Sequence, residues 1–309
     1  MKVTLIHNPA AGTDQQPSAG ELLRMIRSAG YSAVYQSAKE ENWQSALEDP
    51  GDIVVVAGGD GIVGRVAKRS IGGHAPIAVL PLGTANNVAK TLGVTNIPLR
   101  QLVEGWSSAR RMKFDVGVAT GPWGSTYFIE GLGVGLFTEV MSRLDARGNS
   151  DLAHLPNAGE KILSVQEVLK ERLHGYPPHK LKVMLEGQDL SGEFILLEAM
   201  NIRSIGPNIC LAPNADPSDG LFDVAYIRQG EQNELIKYLA KSVAGEPCIP
   251  RLSVKRGKYL KIELQGVSVH IDDEAWPKGN AVSSPSPIEI SVKLNPDSLV
   301  FLAPELEAE

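Results

Sequence analysis

The sequence predicts an α/β fold in two parts. An N-terminal, parallel-sheet, Rossmann-like domain is expected over residues 1–115, and a C-terminal, mainly antiparallel β-sandwich domain over 116–293. Three observations predict this. Strand-like and helix-like segments alternate through the first third of the chain, the pattern of βαβ units. The run DIVVVA, Asp52 to Ala57, is apolar and β-branched after its first residue, as a strand buried on both faces must be. After about Asp115 short strand-like runs predominate, the texture of a sandwich. The tail, 294–309, contains the apolar run Ser298 to Ala303 and is expected to return to the first domain.

The elements follow in order. Lys2 to His7, KVTLIH, reads as a strand that stops at Asn8-Pro9. Leu22, Leu23 and Ile26 have helical spacing, and Gly30 stands as the cap. Tyr31 to Gln36 is a second strand. DIVVVA ends at Gly58-Gly59-Asp60-Gly61, after which Ile62, Val63, Val66 and Ala67 suit a helix. Ile77 to Leu80 is another buried strand, and Thr84 to Leu92 a helix with Gly93 past its end. Farther on, strands are expected at Lys180 to Leu185, Phe194 to Met200, Phe222 to Ile227, Tyr259 to Leu264 and Val267 to Ile271. Helices are expected at Glu160 to Leu173 and Glu231 to Val243. In parallel sheets ligands bind beyond the carboxyl ends of the strands. The loops at Asn8, Gly58 and Pro81 all lie at such ends and can converge on one crevice.

Composition narrows the class. A chain of 309 residues can bury two modest cores. Its formal net charge of −6 argues against nucleic acid as a partner. The basic run Arg251 to Lys261 could meet an anionic membrane, although a strand pair with solvated lysines explains it more simply. Two cysteines, Cys210 and Cys248, are too few for a disulfide framework, so a reducing, cytoplasmic setting is expected. The N-terminus does not read as a signal peptide, and no run approaches the roughly 20 apolar residues of a membrane helix. A lipid would have to be handled from the membrane surface.

The chemistry concentrates in a few motifs. The glycines of Gly58-Gly59-Asp60-Gly61 let the backbone approach a phosphate, and a following helix start can hold its oxygens. A carboxylate at Asp60 is tolerable beside phosphates if Mg²⁺ lies between them; otherwise Asp60 caps the helix. Asn8-Pro9-Ala10-Ala11-Gly12 can supply further backbone donors or be a simple turn. Thr84, in Pro81-Leu82-Gly83-Thr84, is either a phosphate contact or a helix cap. Asp216-Pro217-Ser218-Asp219-Gly220-Leu221 is a turn whose spaced oxygens could hold a hard cation. In Ile271-Asp272-Asp273-Glu274 a hairpin tip explains two solvated acids, and a third could aim inward as a general base. His7 reads as structural.

In chain order the motifs are HNPAAG, VVVAGGDG, LPLGTANNVAKTLG, MKFDVG, FIEGLGVGL, LAPNADPSDGLFDV and VHIDDEAW. This series resembles the diacylglycerol kinase-type lipid kinases, which include the sphingosine kinases and bacterial lipid kinases, over nearly the whole chain. The resemblance implies a NAD kinase/diacylglycerol kinase-like fold, with nucleotide in a cleft between the domains. It also implies ATP and Mg²⁺ as cofactors and phosphoryl transfer to a lipid hydroxyl. By the same resemblance Asn8, Pro9, Ala10, Ala11, Gly12, Gly58, Gly59, Asp60, Gly61, Ile62, Val63, Gly64 and Thr84 line the ATP site. Asp60 and Asp115 belong to the acidic network around the catalytic Mg²⁺. Asp216, Asp219 and Leu221 match a structural Mg²⁺ site, and Glu274 matches the general base. The sequence departs from the family pattern at Ile62 (threonine), Gly64-Arg65 (Asn-Glu), Asn87 (aspartate), Glu130 (asparagine) and Asp273 (glycine). The expected partners are a lipid substrate, a membrane surface met peripherally and, for assembly, a second copy of the chain as a homodimer. Rival readings are a non-catalytic nucleotide- or lipid-binding protein on this fold, and a soluble-metabolite kinase related to the NAD kinases.

Overall fold

The computed structural model describes residues 1–12, 16–146, 155, 157–277 and 286–305. The chain divides into two compact units, Met1–Phe114 with Pro296–Glu309, and Asp115–Asn295. Residues 306–309 of the expected return segment lie outside the described residues.

In the first unit β1 (Lys2–His7), β2 (Ser32–Ser37), β3 (Ile53–Gly58) and β4 (Ile77–Pro81) alternate with helices. These are α1 (Ala19–Ser28), α2 (Asp60–Arg69), α3 (Asn87–Thr91) and α4 (Leu99–Gly105). β2, β1, β3 and β4 pair in parallel in that order, and Phe301 of the C-terminal strand pairs beyond β4 with Ile77. Every residue of β3 is buried, as its unbroken apolar run requires. α1 starts at a capping box: Ser18 Oγ accepts from the Glu21 N–H at 3.3 Å, and the Ser18 N–H donates to Glu21 Oε2 at 2.8 Å. Leu22 and Ile26, one turn apart on α1, are fully buried.

The expected helix from Thr84 is shorter than its apolar spacing suggested. It runs only from Asn87, because Asn86 takes a left-handed φ of 54° and ties back to Gly83. Its Oδ1 accepts from the Gly83 N–H at 3.0 Å, and its Nδ2 donates to the Gly83 carbonyl at 2.9 Å. Thr84 therefore lies in a turn and is not the helix cap.

The second unit is mainly antiparallel. Its strands begin with β5 (Arg110–Gly121, entering from the first unit), β6 (Gly124–Phe128), β7 (Gly131–Gly135), β8 (His179–Leu185), β9 (Gln188–Asp189) and β10 (Gly192–Met200). They continue with β11 (Ser204–Ile205), β12 (Ile209–Cys210), β13 (Phe222–Arg228), β14 (Ser253–Gly257), β15 (Tyr259–Leu264), β16 (Val269–Ile271), β17 (Glu274–Trp276) and β18 (Ile288–Ala303). Helices α5 (Leu136–Ala146), α6 (Ala158–Leu173) and α7 (Gln232–Val243) complete it. β10 is the hub, paired antiparallel with β7, β8 and β13. Strand alternation separates two cores. Phe222, Val224 and Tyr226 of β13 enter one, packed with residues of β8, β15 and β18. Ala225 and Ile227, out of step by one, enter the other with α5, α6 and α7.

FIEGLGVGL shows why β7 and α5 escaped the sequence reading. Glycine alternation erases the apolar period, yet all of β7 is buried, and its glycines admit groups from the neighbouring strands.

Candidate functional site

In the first unit the order β2-β1-β3 places a topological switch point between β1 and β3, where ligands bind in open parallel sheets. The loops that leave these two strands are Asn8–Gly12 and Gly58–Gly61. They meet directly: the Asn8 N–H donates to the Ala57 carbonyl at 2.9 Å. The Asn8 side chain turns back on its own loop, where Oδ1 accepts from the Ala10 N–H at 3.2 Å. The loop after β4 joins them. The Leu82 N–H donates to the Gly58 carbonyl at 3.0 Å. Gly59 and Gly83 touch backbone to backbone, and a Cβ built on Gly83 would lie 2.2 Å from the Gly59 Cα. Gly12, at φ 72°, presses on the Leu82 carbonyl so closely that a Cβ would lie 2.3 Å away. Asn8 to Gly12, Gly58 to Gly61 and Pro81 to Thr84 are therefore one cluster.

No side chain caps α2, whose N-cap is Gly59. Its first-turn N–H groups, with the helix dipole behind them, suit an anion. Ile62, Val63 and Gly64 are all buried. The Ile62 Cγ2 methyl fills the space over Gly58, where a Cβ would lie 2.3 Å from it. Of the expected ATP-lining residues, Ile62 and Val63 thus offer backbone only. Their side chains belong to the core, because both lie on the buried face of α2.

Asp60 opens α2, but its carboxylate reaches α3, where Oδ1 accepts from the Val88 N–H at 3.0 Å. It caps a neighbouring helix, not its own. Burial pushes this carboxyl above its ordinary value, although the N–H groups of Val88, Asn87 and Asn86 and the charge of Lys90 pull the other way. A raised folded-state value means that the stability Asp60 contributes is present in full below the unfolded carboxylate range. It is lost as pH rises through the folded value. At neutral pH the ionised group is a cost, and a bound cation would relieve it. Asp60→Asn keeps an oxygen for Val88 and removes the charge. It is expected to melt at or above the wild-type midpoint at pH 7, with the difference shrinking toward pH 3. A clearly lower midpoint at pH 7 would show that the charge is stabilising.

His7 is structural. It is buried, its Nδ1 lies 3.3 Å from the Tyr35 hydroxyl, and burial lowers its pKa.

In the second unit Asp115 is buried, and its Oδ2 accepts from the Gly220 N–H at 2.7 Å. Its own N–H donates to the Pro217 carbonyl at 2.6 Å. Asp115 thus shapes the Asp216–Leu221 turn. Asn201, which sequence reasoning missed, ties this turn to the start of β7. Its Nδ2 donates to the carbonyls of Asp115 at 2.9 Å and Ile129 at 3.0 Å.

At the turn expected to hold a structural cation, three of the four carboxylate oxygens of Asp216 and Asp219 take donors from the protein. Asp216 Oδ1 accepts from the N–H (2.9 Å) and hydroxyl (2.7 Å) of Ser218. Asp219 Oδ1 accepts from the Leu221 N–H at 2.9 Å, and Oδ2 pairs with the Arg256 guanidinium. Among the described residues no three acidic, His or Cys side chains converge on a metal position. Arg256 supplies the positive charge, and its Nε also lies 3.6 Å from buried Asp223. Burial raises the Asp223 carboxyl and Arg256 opposes the rise. Arg256→Ala is therefore expected to destabilise the protein by about 1–3 kcal/mol at neutral pH. That loss should fade at low pH, where Asp223 is protonated. Thermal melts of the wild type in EDTA and in excess Mg²⁺ test the expected cation: a drop of several degrees in EDTA would place a metal at this turn, and coincident melts would leave Arg256 as its counter-charge.

The Ile271–Glu274 hairpin resolves its three acids. The inward one is Asp272, at φ 52°, whose carboxylate accepts from the N–H groups of Ile129 (3.1 Å), Glu130 (2.9 Å) and Gly131 (3.4 Å). The Asp272 N–H donates to the Gly131 carbonyl at 2.8 Å. Asp273 and Glu274 are exposed. The inward acid expected as a base is a structural clamp, and Glu274 presents outward at the start of β17. The two-residue loop in the sequence, with Ile271 paired to Glu274, was the signal that could have identified Asp272.

Comparison with known proteins agrees with this architecture. Residues 2–119 match the diacylglycerol kinase catalytic domain, and residues 138–294 match the YegS C-terminal NAD kinase beta sandwich-like domain. The chain is 24% identical to a diacylglycerol kinase of Mycobacterium tuberculosis, over 98% of this chain and 95% of that one. It is 28% identical to a Pseudomonas aeruginosa protein named "Probable lipid kinase YegS-like", over 82% and 80% of the two chains. A crystal structure of a diacylglycerol kinase from Bacillus anthracis shares the fold at a TM-score of 0.72 and 21% identity, covering 98% of this chain and 97% of that one. With both domain models matched in chain order, the protein belongs to the diacylglycerol kinase family of the YegS-like type.

Proposed function

We propose that the protein is an ATP-dependent lipid kinase that transfers a γ-phosphoryl group to a lipid hydroxyl, of diacylglycerol or a related acceptor, at a membrane surface. The observation that carries this reading is the Gly59–Gly83 backbone contact at the switch point. Beside it stands the uncapped start of α2, in a chain of the diacylglycerol kinase family. The loop N–H groups would hold phosphate oxygens, and Asp60 would hold Mg²⁺. The ion would neutralise phosphate charge as transfer proceeds. Glu274 would take the proton from the attacking hydroxyl. Among the described residues no helix is long and apolar enough to cross a membrane, so contact with lipid would be peripheral.

The test supplies γ-labelled ATP with vesicles of diacylglycerol, ceramide, sphingosine or phosphatidylglycerol, and with NAD as a soluble acceptor. Label in at least one lipid is the expected result. Label in NAD alone would indicate a soluble-metabolite kinase. Nucleotide binding with no transfer would favour a non-catalytic binder, the reading that buried Ile62, without a hydroxyl over the phosphate loop, supports.

A further inference from the structure

One buried ionisable pair takes no part in the chemistry above. Glu198 of β10 and His270 of β16 are both fully buried, with Glu198 Oε2 2.9 Å from His270 Nε2. They are not on neighbouring strands. Glu198 is in register with Gly133 of β7, and Gly133 is in register with His270. The three residues form one cross-strand row whose middle member has no side chain. Glu198 lies across that gap, so that a Cβ on Gly133 would fall 1.8 Å from its Oε2.

The other ring nitrogen sets the tautomer. His270 Nδ1 lies 3.0 Å from the Asp272 carbonyl, which can only accept, so Nδ1 carries a hydrogen. The ring therefore holds the Asp272 peptide directly, two residues before Glu274. Burial is the largest single influence and works against protonating His270, but Glu198 and Asp272 together outweigh it and raise the pKa. Asp272 in turn clamps the three N–H groups of Ile129 to Gly131. A buried ion pair recovers its desolvation cost poorly, so net stability is a weak reason to build one. Geometry is a stronger reason, because the pair fixes the hairpin from behind.

We propose that the Glu198–His270 pair, bridging over Gly133, is a positioning element that locks the Ile271–Glu274 hairpin and so sets where Glu274 presents its carboxylate. This rests on the reading of Glu274 as the base. Misplacement of a reacting group by about 1 Å can cost on the order of 100-fold in rate.

The test uses the full chain. Glu198→Ala and His270→Ala are expected to speed hydrogen exchange about tenfold or more at Ile129–Gly131 and across 269–276. β8 and β15 should keep wild-type protection. In phosphoryl transfer the same variants should lose about 10- to 100-fold in kcat with the KM for ATP unchanged. Glu198→Gln, which keeps a hydrogen bond without the charge, should recover most of that loss. If the alanine variants fail to fold, Glu198→Met combined with His270→Leu removes both charges together and carries the same expectations. Unchanged hairpin exchange in a folded variant overturns the proposal, as does wild-type kcat. Exchange raised evenly throughout the unit also overturns it, because the pair would then be merely structural. Glu198→Gln as slow as Glu198→Ala overturns it too, because charge and not position would matter. A wild type that phosphorylates no lipid would defeat the proposed function, while the exchange data would still judge the clamp.

Discussion

Glu274→Gln is expected to lower phosphoryl transfer by about 10²- to 10⁴-fold, the range over which a general base contributes. The glutamine has the shape of the glutamate and cannot take a proton. Glu274 is exposed at the first position of β17, and the carboxylate of its neighbour Asp272 accepts the N–H groups of Ile129 and Glu130. Stability should therefore change by no more than about 0.5 kcal/mol, as for most surface substitutions. Binding of nucleotide to the first-unit loops should also be unaffected. Steady-state transfer from labelled ATP, with a thermal melt of the same sample, checks both halves. An unchanged rate removes Glu274 from the mechanism. A lost fold would make it structural.

Gly83→Ala should weaken nucleotide binding about tenfold or more through backbone geometry alone. The new Cβ would lie 2.2 Å from the Gly59 Cα and 2.8 Å from Asn86 Oδ1. The nearest obstacle is backbone, so no side chain can swing aside, and the Gly58–Gly61 and Pro81–Asn86 loops must separate. Overpacking of this kind costs about 1–3 kcal/mol. Loss of phosphate-loop geometry should raise the Kd for ATP by about tenfold or more, because the donors no longer converge. Gly105→Ala is the control in the same unit. A Cβ there meets nothing within 4 Å at an ordinary φ, so stability should hold or rise by up to about 1 kcal/mol. Calorimetric titration with ATP separates the two variants. Wild-type affinity in a folded Gly83→Ala protein would move the phosphate site elsewhere.

Several parts of this molecule were legible in the chain alone. DIVVVA could only be a strand covered on both faces, and β3 is one. The apolar spacing around Leu22 and Ile26 placed α1. The glycine loop after β3, with Asn8 and Pro81 at two other strand ends, was enough to expect a shared crevice. These signals are local: a period, a β-branched run, a glycine where backbone must come close. The register-dependent features were not legible. FIEGLGVGL hid β7, because its glycines erase the period and serve neighbours that the sequence does not name.

By itself, the sequence determined the two-part α/β architecture, the family, and which loops carry glycine for close approach, because each is written in residues adjacent along the chain. Tertiary structure alone decided the roles of the acids. Asp60 reaches α3, Asp219 pairs with Arg256, Asp272 turns inward to clamp β7 while Glu274 faces out, and Glu198 meets His270 across Gly133. A carboxylate's role depends on which charges and N–H groups lie within about 3 Å of it. In each of these cases the partner comes from a distant part of the sequence, brought close by strand register or helix packing.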